Sequence, residues 1–183
     1  MDKTLGLVGF GRIGQEVAIR ARAFGMKVVA YGHHFDEAFA AAHGVQRAAT
    51  VEALYAEADY ISLHTKLTPA TRGLINAAAL ARMKPGVVIV NTARGEIVHM
   101  ADLVAALQSG QVATYATDVL DQEPPPPDHP LLKLPNVIIT PHIGSRTHES
   151  VQRQASCAVE NLTRFLAGKK PIAQANPEVA SSG

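Results

Sequence analysis

The 183-residue sequence has no tryptophan and a single cysteine, Cys157. One thiol excludes an internal disulfide and fits a reducing compartment. In its helical surroundings Cys157 reads as a small buried side chain rather than a nucleophile. No apolar run approaches the length needed to span a bilayer. The opening Met1-Asp2-Lys3-Thr4 leads straight into a strand-like run with no signal peptide, so a cytoplasmic location is expected. A net charge of +1 offers no grip on nucleic acid or on a membrane surface. The eight histidines show no ligand spacing with acids or thiols, so no metal site is expected. Neither a repeat nor a linker divides the chain.

What is present is an ordinary globular balance, 47% hydrophobic and 18% charged, enough for a sheet buried on both faces. Short apolar runs predict strands at 5–8, 27–31, 60–63, 87–90, 112–118 and 137–140, the almost continuous β-branched run Val87-Val88-Ile89-Val90 reading as a central parallel strand, a kind buried on both faces. Amphipathic stretches predict helices over 13–24, 37–43, 51–58, 77–83, 101–108 and 147–166. Ile13, Val17 and Ala21 are spaced for the buried face of the first helix. Asn76 is the expected cap of the fourth helix, and Thr147 or Ser145 of the last. The tetraproline Pro124-Pro125-Pro126-Pro127 must be an extended surface loop. The alternation predicts an α/β fold with a parallel, doubly wound, three-layer Rossmann-type sheet over 1–177, with 178–183 as a disordered tail.

Gly9-Phe10-Gly11-Arg12-Ile13-Gly14 is G-x-G-x-x-G between the first strand and the first helix, the context that gives the pattern meaning. Gly9 permits the tight turn, Gly11 lets a pyrophosphate approach the backbone, and Gly14 lets the helix pack on the strand. Exposed N–H groups at the helix start then hold the phosphates. An acid normally ends the second strand of such folds and holds the ribose 2′-hydroxyl. Here that strand ends Ala30-Tyr31-Gly32-His33-His34, with Gly32 where the acid would stand. Asp36 lies too far on and reads as a helix start. Without a carboxylate, a 2′-phosphate is not repelled, and His33 and His34 can donate to it, although no arginine completes a clamp. The sequence therefore admits NAD or NADP. Two solvated loop histidines are the equal alternative.

Three more strand ends carry polar residues: Asn91-Thr92-Ala93-Arg94-Gly95, then Asp118 through Glu123-Pro124, then Thr140-Pro141-His142-Ile143-Gly144. Carboxyl ends of strands share one edge in an open α/β sheet, so Arg94, Glu123 and His142 are expected to converge. Reduction of a 2-oxo acid needs such a set. Arginine holds the carboxylate as a fork and polarises the carbonyl, histidine transfers the proton, and glutamate favours the imidazolium. A nicotinamide supplies the hydride.

These motifs, with Leu63-His64-Thr65, Leu67-Thr68-Pro69-Ala70-Thr71 and Met83-Lys84-Pro85-Gly86, resemble the D-2-hydroxyacid dehydrogenase family in order from Thr4 to about Pro177. The resemblance implies that Arg94 binds and polarises substrate, that His142 is the acid/base and that Glu123 is its partner. It implies coenzyme contacts from Gly9, Gly11, Arg12, Ile13, Gly14, the Gly32-His33-His34 corner, Thr71, Arg94 and His142. It places Asp118 near the carboxamide, Thr92, Ala93 and Gly144 around the nicotinamide, and His64 and Thr65 on the adenosine side. Glu123 favours a hydroxy acid over formate, because related formate dehydrogenases generally carry glutamine there. His99 departs from the usual Asp or Asn and concerns helix capping. Arg146 departs from a small residue and reads as a solvated helix-start residue, with contact to an anionic substrate or a phosphate as the alternative. The resemblance further implies a homodimer, an absent N-terminal substrate domain of roughly one hundred residues, and weak or no turnover by this chain alone. A cofactor-sensing interaction module of the corepressor type is the competing reading. The particular 2-hydroxy acid stays open.

Overall fold

The computed structural model describes residues 3–174. Its contacts divide the chain into two compact units, Met1–Pro141 and His142–Gly183, a finer division than the single domain expected over 1–177. The expected tail, 178–183, lies outside the described residues.

The first unit alternates strand and helix: β1 (Thr4–Val8), α1 (Arg12–Ala23), β2 (Lys27–Tyr31), α2 (Glu37–His43), β3 (Val45–Arg47), α3 (Val51–Glu57), β4 (Tyr60–Leu63), α4 (Ala77–Leu80), β5 (Val87–Asn91), α5 (Met100–Ser109), β6 (Val112–Thr117) and β7 (Val137–Ile139). The seven strands form one parallel sheet in the order β3-β2-β1-β4-β5-β6-β7. The order reverses between β1 and β4, which makes the fold doubly wound and puts a crevice at their carboxyl ends. Leu5, Leu7, Val28 and Ala30 pack under α1 and α2 on one face, while Val8, Val29, Ile61, Leu63 and Ile89 pack under α3, α4 and α5 on the other. This is the expected three-layer Rossmann-type arrangement.

Local chemistry sets most boundaries. Asp36, Thr50 and Asn76 cap α2, α3 and α4 by accepting from Phe39, Ala53 and Ala79 N–H groups. The Asp36 and Asn76 expectations hold. His99 occupies the N-cap position of α5 without a capping bond and pairs instead with Asp102, 2.9 Å away. Asp102 in turn accepts from Ala77 N–H at the start of α4. Helix α4 stops at Leu80, short of the predicted 83, because Arg82 and Met83 N–H groups bond back three residues rather than four ahead of Pro85. The short edge strand β3 carries too little pattern to be read from sequence.

Two burial expectations need correction. The face of α1 against the sheet is Gly14, Ala18 and Ala21, not Ile13, Val17 and Ala21; Ile13 is 66% exposed. Small residues let the helix axis approach the sheet, and the larger Ile13 and Val17 are turned along an open wall. The β-branched run of β5 is covered on one face only: Val87 and Ile89 are buried, Val88 and Val90 half-buried. Beside Val90, a trough of about 420 Å³ is lined by Leu5, Val17, Phe24 and Tyr60.

The second unit is built on α6 (His148–Leu166), with Thr147 as its N-cap accepting from Ser150 N–H, as expected. None of its residues is buried. Cys157 is therefore half-exposed and not the buried side chain expected. Asn161 ties the helix to the following segment by accepting from Ile172 and Ala173 N–H groups, and Arg164 donates to Lys170 O. Val151, Val159, Leu162 and Phe165 are exposed.

Candidate functional site

The glycine loop follows β1 directly. Gly9 has φ +104°, and a Cβ there would fall 2.6 Å from the His64 carbonyl, so a side chain is excluded twice. A Cβ on Gly14 would meet Gly9 O at 2.4 Å, which is why the first turn of α1 lies so close to the loop. Gly11 is the opposite case, with nothing within 4 Å of its Cβ position. That open space faces the start of α1, which has no side-chain cap and no acid in its first turn. The unsatisfied N–H groups and the positive end of the helix dipole are thus left to an anion. The arrangement fits the pyrophosphate of a dinucleotide.

Gly11 and the start of α1 line a cleft of about 870 Å³ in the first unit, of a size suited to a small-molecule or cofactor site. The cleft unites residues from three strand ends: Gly11, Arg12 and Ile13 after β1, His64 and Thr65 after β4, and Thr92, Ala93 and Arg94 after β5. Eight of the sequence-predicted positions are brought together here. Sequence reasoning missed Glu16, Val17, Arg20, Lys66 and Leu67, which complete the wall. The signal was available in part, because Glu16 and Arg20 continue the helical spacing of Arg12 and Ile13 and pair with each other at 2.6 Å.

His64 sits at the base of the cleft with Nε2 2.9 Å from Ser62 Oγ. Burial pushes its pKa down to about 4. It is therefore neutral at neutral pH, presenting a hydrogen-bonding ring with no charge. Arg94 is exposed at the cleft, its Nη1 donating to Ala93 O at 2.6 Å.

Other predicted residues stand elsewhere. Gly32, His33 and His34 do not line the cleft; the two histidines are exposed, and a Cβ at Gly32 would lie 3.1 Å from Phe10 N. Thr71 uses its hydroxyl within its own loop, donating to Lys66 O and accepting from Thr68 N–H. Asp118 is buried at the end of β6 and accepts from the Thr140 hydroxyl. Glu123 accepts from Leu120 N–H at 2.8 Å. His142 has φ 54°, a left-handed conformation uncommon for a side-chain-bearing residue; it and Gly144 belong to the second unit.

A second histidine–carboxylate pair, invisible in the sequence motifs, joins His129 Nε2 to Asp121 Oδ1 at 3.1 Å. His129 is 4% exposed, and its Nδ1 accepts from Leu131 N–H. With Nδ1 accepting, the proton is on Nε2 and points to Asp121. Both ring nitrogens are thus spent on folding the loop ahead of β7. Among the described residues, no cluster of three or more His, Cys, Asp or Glu could hold a metal ion, and no helix is long and apolar enough to cross a membrane.

Comparison with known proteins gives a consistent result. The protein-family model described as "D-isomer specific 2-hydroxyacid dehydrogenase, NAD binding domain" matches residues 1–144. A glyoxylate reductase of Korarchaeum cryptofilum is 44% identical over 177 residues, 97% of this chain and 53% of that protein. A hydroxypyruvate reductase of Thermotoga maritima is 45% identical over 168 residues, 91% of this chain and 54% of that protein. Among solved structures, the TT0316 protein of Thermus thermophilus superposes with a TM-score of 0.87 at 47% identity, over 94% of this chain and 53% of that one. The chain thus spans about half the length of the relatives it matches.

Proposed function

Since the chain belongs to the D-isomer-specific 2-hydroxyacid dehydrogenase family and matches its NAD-binding domain, we propose that it is the coenzyme-binding part of an oxidoreductase acting between a 2-oxo acid and its D-2-hydroxy acid. The observation that carries this reading is the single cleft on which the uncapped start of α1 meets the Thr92-Ala93-Arg94 loop. The α1 N–H groups, Arg12 and Ile13 hold the dinucleotide, with neutral His64 and Thr65 further along the wall. When bound, the nicotinamide coenzyme supplies or accepts the hydride. Arg94 binds the substrate carboxylate and draws electron density from the neighbouring carbonyl. By their motifs, His142 gives or takes the proton at the carbonyl oxygen, and Glu123 is its partner. Asp118 and Gly144 complete the nicotinamide surroundings. The absence of an acid at Gly32 extends the coenzyme choice to NADP. Relatives that reduce glyoxylate and hydroxypyruvate support small 2-oxo acids as substrates. We assign the working form to a cytoplasmic homodimer in which the remaining half of the relatives' length completes the active site.

Titration of the chain with NADH and NADPH by calorimetry tests the reading, the absence of tryptophan making intrinsic quenching a poor reporter. Saturable binding of at least one is expected, and the tighter of the two assigns the role of Gly32, His33 and His34. No binding of either at millimolar concentration would overturn it.

A further inference from the structure

Asn91, the last residue of β5, is fully buried, between Leu63 of β4 and Thr117 of β6 in the sheet register. A buried amide is costly unless its hydrogen bonds are made. Both donors and the carbonyl oxygen of this one are engaged. Its Oδ1 accepts from Ala93 N–H at 3.0 Å. Its Nδ2 donates to Arg94 O at 2.9 Å and to the Tyr115 hydroxyl at 3.1 Å. The pattern fixes the orientation of the amide, because an N–H must face an acceptor and a carbonyl must face a donor. Two of the three bonds go to the loop that carries Arg94 and only one to the sheet, through Tyr115 on β6.

On the far side of Arg94 the chain is held by contact. A Cβ on Gly95 would lie 2.1 Å from the Leu120 carbonyl carbon, so the backbones of 95 and 120–121 touch with no room for a side chain. Arg94 is thereby fixed at its own backbone from both sides, while its exposed side chain lines the cleft with Nη1 donating to Ala93 O. We infer that Asn91 is a positioning residue for Arg94: it trades cheap apolar packing for bonds that aim the guanidinium, and Tyr115 holds the amide in place. The inference rests on the reading of Arg94 as the carboxylate-binding group.

The test is made on this chain by amide hydrogen exchange and by ¹⁵N relaxation of the Arg94 Nε–H group, neither of which needs turnover. Asn91→Ala removes the acceptor of Ala93 N–H, so its exchange should quicken by roughly five- to tenfold, the loss of about one buried bond. Ile61 and Leu63 amides in β4 should be unchanged. Asn91→Asp keeps that acceptor but turns an oxygen toward Arg94 O. Ala93 should then stay protected while Arg94 Nε loses order. Should the buried carboxylate prevent folding, Tyr115→Phe leaves both loop bonds and removes only the anchor, and a rise of about two- to threefold at Ala93 is expected, a fraction of one bond. An unchanged Ala93 amide in Asn91→Ala, or equal quickening at Ala93 and in β4, would overturn the inference. If Arg94→Met binds oxalate in the presence of coenzyme as well as the parent chain does, the carboxylate role of Arg94 falls. The exchange result would still stand.

Discussion

The two ends of the cleft are built by opposite means. At the glycine loop the structure works by leaving side chains out: Gly9 and Gly14 let backbone meet backbone, and Gly11 keeps the helix start open. At the Arg94 loop one such omission, at Gly95, is joined by buried polar side chains, with Asn91 and Tyr115 bonded to loop and sheet. The first strategy binds with main-chain N–H groups, which have no rotamers to fix and no pKa to tune. The second delivers a long cationic side chain, which must be aimed. Under the proposed function, the difference teaches that recognition of a diphosphate can be written in omissions, whereas placement of a reactive charge needs an internal scaffold.

The largest effects should come from filling the omissions. Gly14→Ala and Gly95→Ala each press a methyl onto backbone and should cost about 3 kcal/mol of stability by overpacking, measured by chemical denaturation. They should part company in binding. Gly14→Ala should lower coenzyme affinity about a hundredfold, roughly 3 kcal/mol, while Gly95→Ala in the protein that still folds should change it by less than about tenfold. Equal losses would merge the two ends into one unit.

A smaller effect belongs to His64, between the two ends. In the folded chain burial holds its pKa at about 4, below the usual 6.5. Above pH 6.5 the ring is neutral in both states and costs nothing. As pH falls from 6.5 towards 4, the unfolded chain takes up a proton that the folded one refuses, so stability should decline across that window, by on the order of 2 kcal/mol after allowance for partial exposure. His64→Gln should flatten that part of the stability–pH curve; an unaltered slope would show that His64 is not its source. The smallest effect is expected from Arg12→Ala, whose exposed charge should contribute about two- to fivefold to dinucleotide affinity, most visibly at low salt.

This contrast also explains what could be read in advance. The glycine loop was legible because its physics lies in three nearby positions, and the strands because their apolar runs are short and bounded. Arg94 was legible as a residue type at a strand end. Asn91 was not, since nothing local says that an asparagine after four apolar residues will find Tyr115 across the sheet. The His129–Asp121 pair was hidden for the same reason. The burial of α1 was misread because spacing ranks Ile13 and Val17 as core, while a close helix–sheet contact selects Gly14 and Ala18. A sequence pattern also carries no mark of what lies against an apolar face, so β5 was expected to be covered on both sides and Cys157 to be buried.

The strand order bears on how the chain comes to be folded at all. β1 pairs with β2 on one side and with β4 on the other, and about fifty residues separate β1 from β4 along the chain. At a synthesis rate of about 5–20 residues per second, one edge of β1 stands open for some seconds after it leaves the ribosome. Leu7 and Val8 lie in that open strand, later to be buried in the core. Early closure of β1 against β2 under α1 would leave a single edge to guard until β4 arrives, making the small, close-packed first helix a safeguard against mispairing of nascent chains as well as a floor for the cleft.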